Sequence, residues 1–194
     1  MKTNPVGWIQ TYSGIKMWPL EPDEDTILLP DIAHALSFQC RFGGHSSRFY
    51  SVGQHCILVS DLCAKYGENV KTQLAGLLHD ATEAYLVDLP RPVKLQMPDY
   101  KVIEAKLEKC IANRFKLSHA DFASVKKYDE IALAVEAEKL MCPIHPEWNT
   151  SGVQDMNADG NYGLLAGYLS PEECEIQYLK KFKELWSIRK DIGE

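Results

Sequence analysis

The stretch Gly76-Leu77-Leu78-His79-Asp80-Ala81-Thr82-Glu83-Ala84 decides the reading of the chain. It closes an apolar run that starts near Val70 and places Leu74, Leu77 and Leu78 at helical spacing. Side chains on that face point into a core. An imidazole and a carboxylate placed there are costly, because burial strips both of water, unless something pairs with them. A divalent metal pairs with both. Glu83 follows His79 by four residues and Asp80 by three, so a helix continued to Ala84 projects it from the same face. The competing reading lets His79 bond locally and leaves Asp80 and Glu83 in water. His-Asp alone is a two-letter match and does not choose between them.

Helical signals flank this segment on both sides. Asp31-Ile32-Ala33-His34-Ala35-Leu36-Ser37-Phe38 reads as a helix with Asp31 near its start. Ser51 caps a second helix carrying Val52, His55, Cys56, Val59 and Leu62 at spacings of three and four. The third runs from about Val70 to Ala84 and stops before Leu89-Pro90-Arg91-Pro92, where two prolines forbid continuation. A fourth follows Pro98, with Val102, Ile103, Ala105, Leu107, Cys110, Ile111 and Phe115 as its apolar face. A fifth spans roughly Asp121 to Met141 and ends at Pro143 and Pro146.

Residues 143–169 hold Gly152, Gly160, Gly163 and Gly167 among polar residues and read as a long loop. The last helix, residues 170–190, opens with Ser170-Pro171-Glu172-Glu173, a capping box with proline at the first helical position. Ile176, Leu179, Phe182 and Leu185 give it an apolar face. Residues 1–29, with Trp8, Trp18, Pro19 and Pro22, read as an extended segment. No strand pattern is as strong. The expected fold is all-α, a helical bundle with residues 1–194 forming one domain.

Composition narrows the class. A chain that is 45% hydrophobic and 25% charged is globular, not disordered. Its net charge of -6 argues against general binding of duplex nucleic acid, which needs Lys and Arg against phosphates. A small anion is still accessible if a metal and local cations reverse the sign inside a site. No apolar run approaches the ~18 residues of a membrane span, and MKTNPVGWIQTYSG shows no signal-peptide pattern. Cys40, Cys56, Cys63, Cys110, Cys142 and Cys174 are scattered without a Cys-x-x-Cys, which suits reduced thiols in a cytoplasmic protein.

More distant residues complete the constellation. Tyr50-Ser51-Val52-Gly53-Gln54-His55 puts a histidine in the first turn of its helix. Lys126-Lys127-Tyr128-Asp129 puts an aspartate in an apolar helix with Val125, Ala132, Leu133 and Val135. Leu86-Val87-Asp88-Leu89-Pro90-Arg91-Pro92-Val93-Lys94 adds a carboxylate, a proline-stiffened turn and cations. A helical bundle can converge such a series, His then His-Asp then Asp on different helices, on one ion.

With Cys40-Arg41-Phe42 and Ser51-Val52-Gly53-Gln54-His55-Cys56, these segments resemble the HD-domain superfamily of metal-dependent phosphohydrolases. The nearest likeness is to small bacterial 5'-deoxynucleotidases and phage dATP triphosphohydrolases, over roughly residues 30–141. The run His-Asp-x-x-Glu-x-x-x-x-Asp-Leu-Pro-x-Pro-Val-Lys is its specific part. The resemblance implies a helical bundle of the HD-domain type. It implies His55, His79, Asp80 and Asp129 as metal ligands, with Asp129 preferred over Glu130 and Asp121 for its sequence context. It implies Glu83 as the water-handling carboxylate and Asp88 as a second acid beside the phosphate. Arg41 matches a phosphate-binding arginine, Phe42 stands where relatives often carry tryptophan, and Lys94 matches a lysine aimed at phosphates. Relatives are commonly homo-oligomers.

Two imidazoles and two carboxylates suit manganese, cobalt, iron, nickel or zinc. The expected activity is hydrolysis of phosphate from 2'-deoxynucleoside 5'-phosphates, as a monophosphatase or as a dATP-type triphosphohydrolase. A catalytically idle nucleotide sensor and a cyclic-nucleotide or ppGpp-type phosphodiesterase are the alternatives.

Other features carry less. Gly43-Gly44-His45-Ser46-Ser47-Arg48 precedes the His55 helix, and His45 and Arg48 are weighed as substrate contacts against a plain turn. His34 reads as a satisfied structural histidine, and His119 as an exposed residue ahead of a helix. Cys142-Pro143-Ile144-His145 has metal-like spacing but no partner pair. Trp8 and Trp18 read as packing or surface cover.

Overall fold

The computed structural model describes residues 7–141, 143–145, 147–148 and 168–193. The architecture is mostly helical, and helix α2 (Val52–Lys65) is its axis. Around it pack α1 (Leu29–Phe38), α3 (Val70–Leu78), α8 (Lys126–Leu140) and α9 (Pro171–Asp191). Short helices α4 (Glu83–Leu86) and α5 (Arg91–Lys94) lead into α6 (Pro98–Arg114), and α7 (His119–Ala123) leads into α8. Among the described residues the only strands are β1 (Ile9–Gln10) and β2 (Lys16–Met17), an antiparallel pair with Ile9 opposite Met17. No described helix is long and apolar enough to cross a membrane.

α2 can be central because it is apolar nearly all round: Val52, Cys56, Leu58, Val59, Leu62 and Cys63 are buried. Two glycines set how closely its neighbours approach. A Cβ at Gly53 would stand 2.9 Å from Cys174 Sγ and 3.0 Å from Ser37 Oγ. A Cβ at Gly76 of α3 would stand 3.1 Å from Ser60 Cα of α2. These contacts fix α2 against α1, α9 and α3.

The caps expected at Ser51 and Ser170 form as capping boxes with Gln54 and Glu173, each worth about 1 kcal/mol. The five described cysteines, Cys40, Cys56, Cys63, Cys110 and Cys174, are free.

Several expectations need correction. The third helix does not run on to Ala84. It ends at Leu78, and the chain tightens through Ala81 N–H to Leu78 O (3.0 Å) and Glu83 N–H to Asp80 O (2.9 Å). The cause is His79 itself, whose Nδ1 turns back to Gly76 O at 2.8 Å. That carbonyl is the acceptor Asp80 N–H takes in a continuous helix. The fifth helix is likewise two, α7 and α8. Ser118 and Asp121 cap α7, and Ser124 Oγ donates back to Ala120 O at 3.0 Å where the axis breaks.

Val102 and Ala105 of α6 and Ile176 of α9 face solvent, so those apolar faces are narrower than read. Residues 1–29 are not simply extended: they include the hairpin and a 3-10 turn at Glu24–Thr26. His119 is the first residue of α7 and is exposed. His34 is satisfied, stacked between Tyr12 and Phe38 with Nδ1 2.9 Å from Glu175 Oε2. Cys142, Pro146 and all of the 143–169 loop except 143–145, 147–148 and 168–169 lie outside the described residues.

Candidate metal centre

Three helical elements bring the expected ligands together. The Ser51 capping box starts α2 so that His55 falls in its first turn, fully buried. The tight turn after α3 presents His79 and Asp80, and the first turn of α8 presents Asp129. His55 Nε2 lies 3.1 Å from His79 Nε2. Asp129 Oδ1 is 3.0 Å from His55 Nε2 and 3.8 Å from His79 Nε2. Asp80 Oδ2 is 3.3 Å from His79 Nε2 and 3.6 Å from His55 Nε2. His55, His79 and Asp80 form a group whose ligand atoms all lie within 4.8 Å of one another, a set that could hold a metal ion.

The tautomers support this fit. Gly76 O can only accept, so His79 Nδ1 carries its proton. His55 Nδ1 lies 2.7 Å from Glu136 Oε1, and the carboxylate claims that proton too. In the neutral rings both Nε2 lone pairs therefore face each other. Such an arrangement is repulsive until a positive charge stands between them. Two nitrogens bound about 2.1 Å from one ion at right angles are about 3.0 Å apart, close to the separation found.

The electrostatics of the metal-free chain say the same. Burial favours the neutral form of His55, as does Arg41, yet Glu136 and Asp129 raise its pKa. Burial also opposes charge on His79, and Asp80, Asp129 and Cys56 push it well above 6.5. Against the cost of burial, the two imidazoles hold Asp129 far below the usual carboxylate range. The pocket draws in positive charge, as protons or as a cation. Burial pushes the neighbouring Cys56 thiol up to about 11, so it stays protonated and is a poor ligand.

Three further expected residues line this centre. Glu83 opens α4 and is buried, and its Oε2 has no hydrogen-bond partner among the described residues. Burial, then Asp80 and Asp88, raise its pKa well above 4.5. Asp88 is half-buried and is also raised, chiefly by burial. Arg41 sits on the Cys40–Ser51 bridge between α1 and α2, with Nη1 3.5 Å from Asp80 Oδ2. Its Nε is 3.2 Å from Glu136 Oε2, close enough for charge attraction but not aligned as a hydrogen bond. Burial opposes its charge, and Glu136, Asp80, Asp129 and Glu83 hold it in place.

The rest are less central. Lys94 pairs with Glu104 and lies over the Tyr100 ring at 5.5 Å, although its charge also acts on Glu83. Phe42 adopts φ 57, rare for an aromatic residue, and its ring meets Trp148 edge-on at 6.2 Å. His45 is exposed, and Arg48 stacks its guanidinium 3.9 Å from the Tyr168 ring. No described contact joins either of them to the metal cluster.

Sequence reasoning missed Glu136. It is fully buried two helical turns after Asp129, and it orients His55 while neutralising Arg41. The available signal was a carboxylate between Val135 and Ala137 on the buried face of α8.

No family model matches the chain. It is similar to the uncharacterized protein YfdR of Escherichia coli, with 34% identity over 185 residues, 95% of this chain and 99% of that protein. It is also similar to an uncharacterized protein of Rhodobacter capsulatus, with 32% identity over 142 residues, 69% of this chain and 72% of that one.

Proposed function

The chain belongs to the family of Escherichia coli YfdR, and we propose that it is an HD-domain-type, metal-dependent phosphohydrolase of 2'-deoxynucleoside 5'-phosphates. One observation carries this reading. Two imidazoles with fixed Nδ1 protons aim their Nε2 atoms at one point, and a buried carboxylate oxygen of Glu83 has no partner among the described residues. A purely structural histidine pair has no use for the second feature.

His55, His79, Asp80 and Asp129 would hold a divalent transition metal. When bound, it supplies Lewis acidity toward a phosphate oxygen and a water. Glu83 takes the proton of the attacking water as the new bond to phosphorus forms. The bond to the leaving oxygen breaks, and that oxygen collects a proton. Glu83 and Asp88 are both shifted toward their protonated forms, so the pair can take up a proton and return it. Arg41, buried and charged, offsets the charge of the phosphoryl group.

Product analysis tests the proposal. Metal-free protein is reloaded in turn with manganese, cobalt, iron, nickel or zinc and given panels of deoxynucleoside mono- and triphosphates. Release of phosphate identifies a monophosphatase, and release of triphosphate identifies a triphosphohydrolase. If wild type and Glu83→Ala are equally inert with every metal and nucleotide, the enzyme reading fails.

A further inference from the structure

The Glu83–Asp88 segment needs support, because its own backbone does not favour the shape it takes. Val87 closes α4 with its N–H on Glu83 O at 2.9 Å, and it does so at φ 70, ψ 151. That region is close to glycine-only, and a β-branched residue stays there only where its surroundings force it. The turn swings Asp88 back toward Asp80 and Arg41, whose charges both act on its carboxylate.

One side chain spans this turn. Gln39 Nε2 donates to Glu83 O at 2.8 Å, and Gln39 Oε1 accepts from Asp88 N–H at 3.1 Å. The amide orientation is unambiguous, since a carbonyl only accepts and an N–H only donates. Gln39 is itself anchored on both sides of its backbone. Its N–H donates to Ala35 O at 3.1 Å, and its carbonyl accepts from Val52 N–H at 2.9 Å. The carboxamide thus transmits the position of the α1–α2 junction, which carries Arg41 and leads to His55, to the segment bearing both acids.

We propose that Gln39 is a positioning residue, clamping the backbones of Glu83 and Asp88 so that the two carboxylates keep a fixed separation and aim at the metal centre. Its purpose rests on the phosphohydrolase reading, while the clamp itself is a separate physical claim. Gln39 touches no metal ligand, so it sets the turnover step and leaves metal binding alone.

Two variants of the full-length, manganese-loaded protein test this. Gln39→Met keeps length and loses both bonds. Gln39→Glu keeps the acceptor for Asp88 N–H and loses the donor to Glu83 O. Both variants should lower kcat, Gln39→Met about 10- to 100-fold, since small misplacements of reacting groups cost that much, and Gln39→Glu at least as far, because it sets a carboxylate oxygen against the Glu83 carbonyl. KM and manganese affinity stay near wild type. Independently of activity, amide hydrogen exchange at Asp88 accelerates in Gln39→Met while exchange in α2 and α3 does not. Unchanged kcat, unchanged Asp88 exchange, or acceleration spread through α2 and α3 each overturns the proposal. A wild type inert toward every nucleotide defeats the phosphohydrolase reading and the catalytic purpose, and the exchange pattern then decides whether the clamp exists.

Discussion

His55 Nε2 and His79 Nε2 face each other at 3.1 Å, and neither ring can turn away, because each Nδ1 is held by an acceptor, Glu136 Oε1 or Gly76 O. A divalent cation should therefore stabilise the fold. At a metal concentration 100 times its dissociation constant, linkage gives about 2.7 kcal/mol, or roughly 5–10 °C in Tm for a chain of this size. Thermal melts with and without chelator check this. His55→Ala and His79→Ala should abolish the shift, and a wild type that melts identically under both conditions rules out a metal centre.

The size of that shift should depend on pH. Both histidines have raised pKa values in the metal-free protein. A raised histidine contributes stability that is full below the unfolded value, about 6.5, and fades as pH rises through the higher folded value. Metal binds the neutral rings, so it replaces what deprotonation removes. The metal-induced Tm shift should be larger at pH 8 than at pH 6. An equal or reversed difference contradicts the assignment of the pair as ligands.

Glu83→Gln isolates the proton-handling role. The amide keeps shape and loses basicity, so kcat should fall about 10²- to 10⁴-fold while the metal-dependent Tm shift persists. Burial and the charges of Asp80 and Asp88 raise the Glu83 pKa. A bound dication opposes that rise, so the acid limb of the rate profile should move to lower pH as metal occupancy increases. Retention of most activity in Glu83→Gln would assign the proton to another group.

The variants also show where sequence reasoning ended. Ser51 and Ser170 announce their helices through local capping chemistry, and both boxes form. His79 and Asp80 stand out as polar residues on an apolar face, whereas the choice of His55 and Asp129 as their partners rests on the HD-domain resemblance. The break after Leu78 was not legible, since it depends on the His79 side chain competing for Gly76 O, which periodicity does not record. Glu136 was missed for a related reason. A glutamate in a helix reads as surface until its distant partners, Arg41 and His55, are known to be buried with it. Val102 and Ile176 fit the apolar spacing but are exposed, because no described element covers that side.

Glu136 should control metal affinity through His55. Glu136→Gln keeps an acceptor for Nδ1–H and should bind metal only modestly less well. Glu136→Ala loses the orientation, and affinity should drop about 10- to 100-fold. It also leaves Arg41 buried without its closest counter-charge, a loss of about 3–5 kcal/mol when one partner of a buried pair is removed. Isothermal titration with manganese, alongside denaturant melts, separates the two effects. Equal affinity in Glu136→Ala and wild type would reduce Glu136 to a structural partner of Arg41.

Gly76→Ala probes the close approach that brings His79 to His55. The added Cβ would meet Ser60 Cα at 3.1 Å, Cys63 Sγ at 3.2 Å and Ser60 N at 3.3 Å. Two of these are backbone atoms of α2, which cannot swing aside as a side chain can. Overpacking costs about 1–3 kcal/mol, against a helix-propensity gain of up to about 1 kcal/mol, so the net change is a loss. The strain also displaces the Gly76 carbonyl that fixes the His79 tautomer, so metal affinity should weaken along with Tm. Cys63→Ala in the same chain should restore only part of either, because it relieves the sulfur contact and leaves Ser60 in place. Full rescue by Cys63→Ala, or no change in Gly76→Ala, would mean that α2 and α3 are free to separate without disturbing the histidine pair.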